Sequence, residues 1–208
     1  MCQIFNRIVY FIHPRAHNDI MMNNDTQDRD GIIGGALTVA LLITLAVQNA
    51  VPPMATDMYS AAFPQITADL ATNSTMLGFT LTTFFIGYAS GQVLGGAISD
   101  QIGRRRPIVA GGIIALVGSM ICVLTPNIWV FLVGRVFQGL GGGVASSVAR
   151  AILVDVAHGK TLARAMSLIQ AIVGFAPMLA PVLGAFIITH ATWRVIFWSL
   201  AAFTLLMA

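Results

Sequence analysis

The sequence predicts an all-α integral membrane protein: a six-helix bundle whose sixth helix is incomplete. Three observations predict it. Of 208 residues, 57% are hydrophobic and 9% charged, with a mean hydropathy of +0.82, which excludes the charged exterior of a water-soluble globule. The charges are also far apart, with 26 uncharged residues between Asp30 and Asp57, 30 between Asp69 and Asp100, 28 between Arg106 and Arg135, and 29 between Arg164 and Arg194. A bilayer-spanning helix needs ~20 mostly apolar residues. Third, the basic residues gather in alternate loops, as they do in multi-span membrane proteins.

The same composition removes several function classes. Glu is absent, and Cys2 and Cys122 stand in neither metal-ligand nor CxxC spacing, so neither a metal site nor a disulfide framework is expected. No GxxxxGK phosphate loop occurs, and neither nucleotide nor any other cofactor is implied. The pI near 9.3 reflects loop arginines facing a lipid headgroup surface, and no nucleic-acid partner is expected.

Residues 1–30 are expected to be a cytoplasmic tail. Its apolar stretch Ile8 to Ile12 is too short to span and is interrupted by His13, Pro14 and Arg15, unlike a secretory signal. Met21 and Met22 offer alternative starts. The bundle is expected over 31–208. Span 1 covers about 32–56 and ends at Pro52, Pro53 and Asp57, because proline removes a helix donor and clashes with the preceding turn. Span 2 covers about 75–98, after a loop with Pro64 and Asp69. Span 3 covers about 107–124 and stops at the Pro126-Asn127 turn. Span 4 covers about 128–154, with Arg135 inside it. Span 5 covers about 163–188, with Pro177 and Pro181 tolerated as they are in membrane helices. Span 6 covers about 193–208 and breaks off within the helix.

Nine of the eleven basic residues fall on one side of this alternation: Arg7, Arg15, Arg29, Arg104, Arg105, Arg106, Arg150, Lys160 and Arg164. The positive-inside rule therefore places the amino terminus and the even-numbered loops in the cytoplasm.

Three segments carry chemistry. The loop Gly96-Ala97-Ile98-Ser99-Asp100-Gln101-Ile102-Gly103-Arg104-Arg105-Arg106-Pro107-Ile108 has a glycine for close helix approach (Gly96), a glycine for a tight turn (Gly103), a carboxylate at a helix end (Asp100), and arginines that suit anionic headgroups. In span 4, Arg135 sits one to two turns inside a helix. There it either faces a bundle interior or snorkels about 10 Å to the interface, with Gln138 on the same face. In span 5, Pro177, Pro181 and Gly184 lie among small residues suited to bending and close packing.

The loop resembles the GxLaDrxGrkxxl signature of the major facilitator superfamily, with Gln101 departing from its usual basic residue. Arg135 to Gly141 resembles that family's RxxqGxg motif. Ala176-Pro177-Met178-Leu179-Ala180-Pro181-Val182-Leu183-Gly184-Ala185 is similar to its antiporter motif gxxxGPxxGG, with alanine for three glycines. The paired Ala-Pro form, together with Asp57-Met58-Tyr59 and Pro64, resembles the bicyclomycin and chloramphenicol resistance (Bcr/CflA) drug:proton antiporters. This resemblance implies the amino-terminal half of a twelve-helix transporter of the bacterial inner membrane, exchanging protons for an amphipathic small molecule and completed by a second six-helix half. It further implies proton coupling or substrate contact at Arg135, Asp57, Gln138 and Tyr59. Gating would fall to Gly96, Asp100, Gly103, Arg104, Arg105 and Asp155. Alternatives are a non-transporting remnant or accessory half-subunit, and an exporter of a metabolite such as an amino acid, nucleoside or sugar.

Overall fold

The computed structural model describes residues 39–207, all within one compact unit that begins at Leu37. The expected tail, the alternative starts and the first turns of span 1 lie outside the described residues. Seven α-helices follow one another: α1 Val39–Ser60, α2 Phe63–Asp69, α3 Ser74–Ile102, α4 Arg105–Leu124, α5 Ile128–Val156, α6 Gly159–His190 and α7 Arg194–Met207.

Span 1 differs from expectation at its end. The helix continues through Pro52 and Pro53 to Ser60, so Asp57 and Tyr59 belong to it rather than to a following loop. On either side of the two prolines, the side chains of Asn49 and Thr56 bond back to the Leu45 and Pro53 carbonyls at 2.8 Å. A turn then leads into α2, where Pro64 occupies the first turn, a position that needs no backbone donor. Asn73 and Asn127 start α3 and α5 by accepting from the Met76 and Trp129 amides at 2.8 and 2.9 Å, the ordinary N-cap arrangement.

Among the described residues, α4, α5 and α6 are by length and composition able to cross a membrane. Helix α3 is as long as α5, its 29 residues reaching about 43 Å at 1.5 Å each. Threonine, serine and glycine dilute its hydrophobicity, and they do so along the packed stripe. Leu77, Thr80, Phe84, Gly87, Gly91, Gly95 and Ser99 are its buried residues, spaced by three or four, the repeat of one helix face.

That stripe packs on α5, the central helix of the bundle. Side chains added at Gly87, Gly91, Gly139 or Gly143 would run into the facing backbone of Val136, Leu140, Phe84 or Tyr88 respectively. Gly118 and Gly141 do the same between α4 and α5. Small residues let backbones approach closely where lipid supplies no hydrophobic drive for association. Helix α6 packs chiefly on α1 through Ala176, Ala180 and Gly184, with Gly184 against the Met58 backbone. Pro177 and Pro181 lie on its exposed side, and α6 runs through both as one helix.

At the end of the bundle opposite Arg104, Asp69 ties α2 to the start of α7. Its carboxylate accepts from Trp193 Nε1 at 2.8 Å and Arg194 Nη1 at 3.1 Å, while Arg194 Nε donates to the Val123 carbonyl of α4 at 3.2 Å. The guanidinium lies 4.4 Å from the Trp193 ring centroid.

Candidate functional site

Arg135 is fully buried. Helix α5 carries it into the interior because Phe131, Gly134, Gln138 and Gly139 share its packed face. The snorkelling alternative is therefore incorrect for this arginine. Its guanidinium carbon lies 4.6 Å from the ring centroids of both Tyr59 and Phe84 and 5.8 Å from that of Phe197. Nη1 donates to Gln138 Oε1 at 2.8 Å and to the Ala55 carbonyl at 3.4 Å. Gln138 Nε2 passes the chain on to Ser119 Oγ at 2.9 Å.

Nε and Nη2 of Arg135 have no hydrogen-bond partner among the described residues. Leaving a buried donor unmet costs about 1–3 kcal/mol, more when it is charged.

Tyr59 is equally buried, its hydroxyl 2.7 Å from Thr80 Oγ1 and its ring against Phe63, Phe131 and Phe197. It forms a wall of the arginine's cage rather than facing an open cavity. Asp57 does not join it. Residues advance 100° per position on a helix, so Asp57 lies about 160° around α1 from both Ala55 and Tyr59, which face Arg135. It is half-buried, and its carboxylate accepts only from Thr56 at 3.3 Å.

The second predicted cluster does assemble. Arg104 donates from Nε to Asp155 Oδ2 at 2.8 Å, from Nη1 to Ser99 Oγ at 2.7 Å, and from Nη1 to Asp100. The Asp155 carboxylate holds the Arg104 guanidinium above its usual range. Three helix ends are thereby joined. Gly103, with φ of +85°, makes the tight turn that brings Arg104 back over Ser99 and Asp100, a conformation costly to residues with a side chain. Arg105 stays exposed and outside the cluster.

Gly96 was expected to permit close helix approach and does not, because nothing lies within 4 Å of a side chain built there. Gly95, one position earlier, meets Ser147 and Val144.

The cluster is solvent-facing, so an Arg104→Gln variant should lose only about 1 kcal/mol or less. A drop in melting temperature of at most a few degrees, smaller at high salt, is the expected reading by thermal shift.

The described residues form a helical bundle around a buried arginine, and three of its helices are long and apolar enough to cross a membrane. The chain belongs to the major facilitator superfamily, whose family model matches residues 45–208. It is 34% identical over 165 residues to the Uncharacterized MFS-type transporter YdgK of Bacillus subtilis, covering 78% of this chain and 41% of the relative. With the Multidrug resistance protein MdtL of Citrobacter koseri it shares 35% over 150 residues, covering 72% and 38%. With MdtL of Escherichia coli O81 it shares 34% over 149 residues, covering the same fractions. The chain thus spans about two-fifths of the length of the curated relatives it matches. The solved structure of the proton:xylose symporter XylE bound to 6-bromo-6-deoxy-D-glucose superposes with a TM-score of 0.70 at 18% identity, over 81% of this chain and 42% of that one, a likeness of fold alone. The protein is accordingly a multi-pass membrane protein of a transporter family.

Proposed function

We propose that this chain forms the amino-terminal half of a proton-coupled drug exporter of the bacterial inner membrane. Its amino terminus and the Arg104 end face the cytoplasm, and it works by alternating access against a second six-helix half. The observation that carries the reading is Arg135, a buried cation with two unmet donors in a chain about 35% identical to proteins named for multidrug resistance. In this reading the unmet donors await an acceptor that arrives in another state of the cycle. Asp57, near the Pro52-Pro53 segment of α1, takes up the proton that is exchanged for an amphipathic drug. The Arg104 cluster, joined to Asp100 and Asp155, closes the cytoplasmic side, and the Ala176, Ala180 and Gly184 face of α6 with its two prolines lets α1 and α6 move as a pair.

The test is drug susceptibility in a pump-deficient host with and without the complete gene. A rise of four-fold or more in the inhibitory concentration of several unrelated amphipathic drugs, abolished by a protonophore, is the expected result. No change across a broad drug panel, with the protein present in the membrane, would sink the export reading.

A further inference from the structure

Behind the arginine cage, four polar side chains from four helices converge on one small space: Gln48 of α1, Ser119 of α4, Gln138 of α5 and Thr204 of α7. The remaining wall is mostly apolar and includes Gly142. The cavity measures about 20 Å³, far below the ~300 Å³ and upward of small-molecule sites but above the ~10–15 Å³ that one water needs. No charged residue lines it, so it offers nothing to a metal cation.

Hydrogen-bond accounting indicates the occupant. Gln138 spends its oxygen on Arg135 and one amide hydrogen on Ser119, leaving one hydrogen. Ser119 and Thr204 donate to the Ala115 and Leu200 carbonyls at 2.9 and 2.8 Å, leaving oxygen lone pairs. Gln48 finds no partner among the described residues. Three free amide hydrogens on Gln48 and Gln138, the Gln48 amide oxygen and the remaining hydroxyl lone pairs surround a water-sized space, enough to meet both the donors and the acceptors of a water molecule.

We propose that this cavity is a specific water-binding site, and that its water extends the Arg135–Gln138–Ser119 string to α1 and α7. Buried polar groups in hydrocarbon need such partners. The assignment stands apart from the transport reading, since it rests on packing and hydrogen bonding alone.

Gly142 provides the test. A methyl built there meets only Pro52 Cγ at 3.7 Å and Tyr88 Cδ2 at 4.0 Å, ordinary contacts without a clash. If the space is dry, Gly142→Ala fills it and also improves helix propensity, so the melting temperature of the purified protein in detergent rises. With water there, the methyl displaces it and strands the amides, and the temperature falls by about 3 °C or more. Gly142→Ser, which offers a hydroxyl in place of the lost water, then falls between wild type and Gly142→Ala. A rise in Gly142→Ala overturns the proposal. So does a Gly142→Ser variant less stable than Gly142→Ala, which would indicate crowding. A melting temperature that changes when chloride is replaced by gluconate also overturns it, by identifying an anion as the occupant.

Discussion

Arg135→Met abolishes proton-driven drug export by the complete transporter and leaves its melting temperature unchanged or raised. The two halves of that expectation come from the same geometry. Methionine is shorter and uncharged and refills part of the arginine's volume with a soft, adaptable side chain, while the two unmet guanidinium donors and the desolvated charge disappear. Replacing buried charge by apolar volume is often neutral or stabilising by 1–4 kcal/mol. Transport, in contrast, loses the only charge in the cage. A loss of 100-fold or more in the initial rate of drug-dependent proton flux in everted vesicles is expected, a difference of about 2.7 kcal/mol or more. Lysine should not restore it, since an ammonium lacks the planar fork that stacks between two rings while donating to Gln138 and Ala55. Undiminished flux in Arg135→Met would remove Arg135 from the coupling scheme. A collapse of stability with loss of flux would make it a structural residue instead.

The second large effect concerns the seam between α3 and α5. Gly91→Val is expected to yield no folded protein, and Gly91→Ala to lower the melting temperature by at least 5 °C. A single methyl at Gly91 points at the Leu140 carbonyl and the Val144 amide, which belong to the backbone of α5 and cannot rotate away as a side chain would. Overpacking ordinarily costs about 1–3 kcal/mol. Here relief requires the two most extensively packed helices to separate, so the upper end or more applies. The internal control is five residues on. Gly96→Ala, on the same helix but facing open space, should be neutral or slightly stabilising. Equal effects at Gly91 and Gly96 would show that the seam is not packed as described.

These contrasts also indicate how much a sequence of this kind reveals. Composition and charge spacing mark long apolar segments, three of which among the described residues are helices able to cross a membrane by length and composition, and the Pro126-Asn127 turn and the Gly103 turn are readable because each residue type has one common use there. The interior position of Arg135 was left between two readings because a single helix has no intrinsic direction. Which way it faces depends on the neighbouring helices, and the ring cage comes from Tyr59, Phe84 and Phe197 on three other helices. The same gap explains Gly96. A glycine pair signals close approach, but 100° separates Gly95 from Gly96, and only the partner helix decides which of them touches. Asp57 and Arg135 share a motif-based role and yet sit apart, since nothing in either motif fixes the rotation of α1 relative to α5. The run of α1 through Pro52 and Pro53 is not legible locally, because proline breaks helices in soluble proteins and yet is tolerated within membrane helices. The tie between Asp69 and the Trp193-Arg194 pair is not legible in the sequence, because a pairing between segments 124 and 125 positions apart is set by the packing of the bundle and by neither segment alone.

That tie has a consequence for how the protein is made. Asp69 and Arg194 are 125 positions apart, and ribosomes add about 5–20 residues per second. Helix α2 therefore waits about 6–25 s after its own synthesis before its partners exist. Throughout that interval α1 and α2 are in the membrane without their closing contact, available to chaperones and proteases. Chains terminated before Trp193 lack this contact between α2 and the start of α7.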